Sequence, residues 1–161
     1  MTQSTASLRV RAFARAGLVA AIVIALDQIT KNTIAAGITP GDHEKFLPGI
    51  TLVHDQNTGV AFTLFAGGGA LVLVVTFAAL SLLIGYFAMR PERPLLWLPT
   101  GMLVGGAIGN LIDRIAHGAV TDFIQLPHWP AFNVADMSIT FGVIVLLLVL
   151  EGPRKGANRA G

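Results

Sequence analysis

Two carboxylates in the stretch 101–136, Asp122 and Asp136, are spaced to act together on one bond. Carboxyl groups that meet in a partly dry pocket cannot both ionise cheaply, so they share a proton: the anion takes a proton from water while its protonated partner donates to a carbonyl. Asp122 lies in the short segment 119–124 and Asp136 opens the last apolar run, which sets both at similar depth. The dipole at a helix start favours the anion at Asp136, leaving the shared proton more often on Asp122. On spacing alone a plainer reading stands beside this one, with Asp136 as a helix cap and Asp122 as a loop carboxylate.

Other polar residues crowd the same region. Asn110 and Arg114 are one helical turn apart and suit the lining of a pocket; Arg114 has the fork geometry for a substrate carbonyl or a lipid phosphate, and snorkelling to headgroups is its plainer role. Asp113, next to Arg114, points another way. Asp27 and Lys31 are four apart, share a helix face and can form an ion pair, which reads better as structure than as chemistry. Ser138 with Lys31 would mimic a Ser-Lys dyad, with nothing but depth to support it. There is no cysteine and no GxSxG, and His43, His54, His117 and His128 are scattered without metal-ligand spacing, so thiol, classical serine-hydrolase and metal chemistry find no motif.

The elements that must hold these residues are apolar. Of the 161 residues, 53% are hydrophobic and 12% charged, and the mean hydropathy is +0.69; this is a membrane-protein balance. An ionised side chain near a bilayer core costs several kcal/mol unless paired or wetted, so the acids above need a reason to be there. Four helices are expected, at about 16–36, 70–89, 95–114 and 136–151, with outer loops 37–69 and 115–135, in a single integral membrane domain 1–161. A basic start followed by an apolar run also suits a cleaved signal peptide, but the helical pattern continues past Asp27 and Lys31 to about residue 36. Gly101, Gly105 and Gly109, with Gly106 four before Asn110, repeat at one helical turn and make the third helix a central one, approached on more than one side. Segments 49–54 and 60–65 are β-prone and suggest a small strand pair on the membrane surface, with a tight turn at Asn57-Thr58-Gly59.

Charge sets the orientation. Arg9, Arg11 and Arg15, then Arg90 and Arg93, then Arg154, Lys155 and Arg159 fall on one side, which the positive-inside rule makes cytoplasmic, together with both termini. Asp27, Asp113, Asp122 and Asp136 then lie toward the outer face, with Trp129 as an outer and Trp97 as an inner interfacial anchor. A formal charge of +2, with its bases at the ends and in one turn, argues against nucleic acid as a partner.

Five ordered blocks carry a family resemblance: Asp27-Gln28-Ile29-Thr30-Lys31; Asn57-Thr58-Gly59-Val60-Ala61-Phe62; Gly106, Asn110, Asp113 and Arg114; Val120-Thr121-Asp122-Phe123; and Phe132-Asn133-Val134-Ala135-Asp136. The chain closely resembles the bacterial lipoprotein signal peptidases, or signal peptidase II, which more often have alanine at the place of Val60. The resemblance implies an intramembrane aspartic endopeptidase of the bacterial inner membrane that removes signal peptides from diacylglyceryl-modified prolipoproteins, with no cofactor. It implies Asp122 and Asp136 as the catalytic pair, Asn57, Gly59, Asn110, Arg114 and Asn133 as substrate-binding and positioning residues, and Asp27, Lys31, Gly106 and Asp113 as structural support. It also implies an all-α membrane fold with a small extracytoplasmic β-cradle, membrane lipids as neighbours, and inhibition by globomycin-like cyclic peptides.

Two other classes use the same residues. A small proton- or ion-translocating subunit would string the carboxylates through the membrane, yet they gather at one end and the second helix has none. A structural or assembly factor gives no reason for two aspartates and two asparagines to converge.

Overall fold

The computed structural model describes residues 5–58 and 68–152. Its described elements follow in the order α1 (Thr5–Gly37), β1 (His43–Leu47), β2 (Ile50–Asn57), α2 (Gly68–Met89), α3 (Trp97–His117), β3 (Val120–Gln125) and α4 (Val134–Glu151). Four helices stand where four were expected, with different ends. The first starts at Thr5 and not at 16, because the arginines, alanines and Leu8 that precede the apolar run are themselves good helix formers. The third starts at Trp97, since Leu95 takes a left-handed conformation (φ 62°) just after Pro94, and it runs on to His117, where Gly118 at φ 76° caps it with an amide bond to the Arg114 carbonyl. Two helical stretches, Ala6–Gly37 and Val134–Glu151, are long and apolar enough to cross a membrane; Val74–Met89 is a shorter apolar stretch.

Glycine makes α3 the centre of the bundle. A Cβ on Gly101 would lie 2.6 Å from the Ala16 carbonyl of α1, and one on Gly105 2.8 Å from Val23 Cβ. On another side, a Cβ on Gly106 would lie 2.6 Å from the Ala135 carbonyl of α4. The backbones therefore approach as closely as small residues allow. At one end of the bundle Ala12, Ala16, Phe87 and Leu96 are buried together. Here Arg93, in the turn after α2, donates to the Val149 and Leu150 carbonyls at 2.8 and 2.6 Å and to the Tyr86 hydroxyl at 3.2 Å, which satisfies the last turn of α4.

At the other end lies a three-stranded antiparallel sheet in the order β1-β2-β3. The strand expected at 49–54 is present as β2, but its described partners are β1 and β3; the segment 60–65, and Gly59 of the expected turn, lie outside the described residues. Asn57 is the last residue of β2. Gly49 (φ 81°) closes the β1–β2 hairpin after Pro48. The β2–β3 register runs Leu52↔Ile124 and then Asp55↔Asp122, so β2 carries one extra residue between these pairs. That bulge has a consequence for the site. In a regular strand Thr51 and Asp55 would share a face; here Thr51 faces with Gln125, while Asp55 and Asn57 are turned to the face of Asp122.

Candidate active site

The polar residues of α1, α3 and α4 meet at the sheet end of the bundle. Lys31 is 3% exposed, and its ammonium has three acceptors: Asp27 Oδ2 at 2.8 Å, Asp113 Oδ2 at 2.9 Å and Asn110 Oδ1 at 3.0 Å. Three donors on an ammonium are thus matched. The pair expected from the spacing of Asp27 and Lys31 forms, and a second acid joins it. Asp27 Oδ1 reaches on to the Ala135 amide of α4 at 2.9 Å, and Asp113 Oδ2 accepts the Thr121 amide of β3 at 3.1 Å. Gln28, to which sequence reasoning gave no role, bonds Asp113 Oδ1 (2.9 Å), Asp27 Oδ2 (3.2 Å) and the Gly109 carbonyl (3.3 Å). Its spacing of three from Lys31 was the available signal. Gly109 leaves room for this cluster, since a Cβ there would stand 2.6 Å from Asp27 Oδ2.

Donor-only groups then orient two asparagines. Because Lys31 can only donate, the Asn110 side-chain oxygen must face it, and the Asn110 amide nitrogen faces Asp136 Oδ1 at 2.8 Å. Asn133 is the N-cap of α4: its Oδ1 accepts from the Asp136 backbone N–H at 2.9 Å, and its own backbone N–H donates to Asp136 Oδ2 at 3.4 Å, the reciprocal arrangement of a capping box. With its oxygen so committed, Asn133 Nδ2 points to Asp122 Oδ1 at 2.6 Å and to Asn110 Oδ1 at 3.2 Å. From the bulged strand, Asn57 Nδ2 donates to Asp122 Oδ2 at 3.1 Å. Asp136 is therefore at the third position of α4 and is not its cap, a correction to both the expected helix start and the plainer reading of this residue. Asp122 is a strand residue and not a loop carboxylate.

The two acids are not equivalent. Asp122 is buried at 2% exposure, whereas Asp136 is half-buried. Burial raises the Asp122 carboxyl from 3.8 to about 6; the Asn57 amide opposes the rise, the Asp136 charge adds to it, and Asn133 and Lys31 oppose it. A buried acid that holds its proton up to about pH 6, well above the ordinary carboxyl range, beside a more open carboxylate on a helix N-terminus, is an arrangement able to activate water on one side and to protonate an oxygen on the other.

The remaining candidates sort by position. Arg114 is half-buried, with one long bond, 3.4 Å, to the Asn110 carbonyl one turn back. Ser138 donates to the Met102 carbonyl at 3.0 Å while Lys31 is engaged with Asp27, Asp113 and Asn110, so the alternative dyad has no bond between its members. His54 is buried against the Ile38 carbonyl at 2.8 Å and ties β2 to the end of α1. Among the described residues no three His, Asp or Glu side chains are grouped to hold a metal ion. Gly59 lies outside the described residues.

A family model described as signal peptidase (SPase) II matches residues 19–151. The chain belongs to the signal peptidase II family. Among curated signal peptidase II relatives, the lipoprotein signal peptidase of Moorella thermoacetica is 42% identical over 133 residues, 80% of this chain and 87% of that one. That of Syntrophomonas wolfei is 39% identical over 140 residues, 85% of this chain and 94% of that one. A solved structure described as a bacterial membrane enzyme, obtained by the in meso method at 1.9 Å resolution, superimposes with a TM-score of 0.78 at 31% identity, covering 86% of this chain and 94% of the other. Membership of signal peptidase II, the membrane-enzyme neighbour and the apolar helices together make this a membrane protein and a protease of that family.

Proposed function

We propose that the protein is an intramembrane aspartic endopeptidase that removes the signal peptide from prolipoproteins whose cysteine already carries a diacylglyceryl group. The observation that carries this reading is the pairing of Asp122 and Asp136 through Asn133, which is fully buried and contacts both acids. The name shared by the curated relatives supplies the substrate class.

In the proposed reaction Asp136, as the anion, takes a proton from a water placed between the two acids. The water oxygen forms its bond to the carbonyl carbon that precedes the modified cysteine. Asp122 gives its proton to the carbonyl oxygen, and a tetrahedral diol results. Collapse of the diol breaks the C–N bond, the cysteine nitrogen takes up the proton gathered by Asp136, and the diol returns one to Asp122. Asn57, Asn110, Asn133 and Arg114 hold the acids and the substrate backbone, with Gly59 beside them; Asp27, Lys31, Asp113 and Gly106 keep the three helices in register. The same cleft is where a globomycin-like cyclic peptide would compete.

The whole chain is read as one membrane domain with four spans, both termini in the cytoplasm and the sheet on the outer face of the inner membrane. Exposed Leu18, Ile22, Leu26 and Ile29 form an apolar stripe on α1, and Leu147 and Leu148 are likewise exposed on α4, as on lipid-facing surfaces. A substrate held in the bilayer by its signal helix and its acyl chains reaches the acids sideways, and water reaches them from the outer face.

The test is cleavage of a diacylglyceryl-modified prolipoprotein by purified protein in detergent. Asp122→Asn and Asp136→Asn should each bind substrate and lose about 10²–10⁴-fold in rate. Cleavage by either variant at the wild-type rate would remove the catalytic assignment.

A further inference from the structure

Asp55 stands directly across the β2–β3 ladder from Asp122. Residues opposed in an antiparallel pair share a face of the sheet, with Cβ atoms about 4.5–5.5 Å apart. The bond from Asn57 to Asp122, a diagonal neighbour on that face, shows that this is the face of the acid pair. Yet the two opposed acids differ: Asp122 is buried among amide donors, and Asp55 is exposed. Among the described residues Asp55 has no ion-pair partner; the two bridges found there both belong to Lys31. Its place on this face depends on the extra residue in β2, without which it would turn away with Thr51.

An unneutralised carboxylate at the water-exposed rim of a peptidase cleft acts on the charge of whatever passes it. The signal helix of a substrate stays in the bilayer, so the part that leaves over the sheet is the segment beginning the mature chain. We infer that Asp55 is a specificity-determining residue, favouring substrates with basic residues just after the modified cysteine and disfavouring acidic ones. This rests on the peptidase reading. Asp55 touches no reacting atom in this scheme, so its effect belongs to KM and not to kcat.

Three diacylglyceryl-modified prolipoprotein peptides, identical except for Lys, Ser or Asp at the three positions after the cysteine, separate the outcomes. At low salt, wild type should process the Lys peptide with a kcat/KM at least about fivefold above the Asp peptide, at two- to fivefold per favourable contact. The difference should lie in KM and shrink in 0.5 M NaCl, an exposed interaction being screened at about a Debye length of a few Å. Asp55→Asn should bring the ratio toward one while the Ser peptide is cleaved as before, and Asp55→Lys should invert it. A ratio that is the same in wild type, Asp55→Asn and Asp55→Lys overturns the inference and leaves the peptidase reading standing. Failure of wild type to cleave any of the three overturns that reading, and the inference with it.

Discussion

The two asparagines Asn110 and Asn133 decide how the acids are presented, and each is oriented by a group that can only donate: the Lys31 ammonium and the Asp136 amide. Replacing Lys31 with Met leaves Asp27 and Asp113 buried without their cation, which should lower stability by about 3–5 kcal/mol; thermal unfolding in detergent measures it. The Asp122 carboxyl, raised to about 6, yields two pH predictions. Because the fold favours its protonated form, its contribution to stability is fully present below the ordinary value of 3.8 and is lost as pH rises through about 6, so the wild-type Tm should fall across that window and the Asp122→Asn Tm should not show this component. In kcat/KM the same proton sets an alkaline limb, and Asn57→Ala, which removes the amide that holds the acid down, should move that limb to higher pH. At this scale Asp122 and Asp136 stood out in the sequence, since charge in an apolar chain is conspicuous. The work of Asn133 was not legible in spacing, and the spacing of Gln28 gave only a helix face shared with Lys31, because neutral amides act through three-dimensional contacts that cross from helix to helix and helix to strand.

Among the elements, the glycines of α3 were readable from their one-turn period, and their contacts now assign each a neighbour. Gly101→Ala drives a methyl to 2.6 Å from the Ala16 carbonyl and should cost about 1–3 kcal/mol, whereas Gly17→Ala, with nothing within 4 Å, should be neutral or slightly stabilising; paired thermal melts compare them. The turn around Arg93 was legible only as a topology signal, because positive charge between apolar runs says which side a loop is on and nothing about what the guanidinium touches. Its bonds to Val149 and Leu150 predict that Arg93→Ala frees the end of α4, seen as faster amide hydrogen exchange in its last turn. The sheet was the least legible element: β3 is six residues long and lies 63 positions or more after β2, and no local pattern announces so distant a partner.

For the molecule as a whole, the apolar runs announced the four helices, while the uneven distribution of arginine gives an expected orientation that the absence of cysteine makes easy to test. Single cysteines placed at Glu44 and at Glu92 should be labelled by an impermeant maleimide from the outside only in the first case, with the second reacting after the membrane is opened. The bond from Asp27 to the Ala135 amide has one more consequence. It joins the first helix to the start of the last one, 108 positions later, right where Asp136 is seated. Synthesis proceeds from the N-terminus, so Asp122 emerges into the membrane before the helix that completes the pair. A chain interrupted at any point short of α4 has one acid and no partner for it. On the proposed pairing of Asp122 with Asp136, proteolytic competence therefore appears only once α4 has folded against α1.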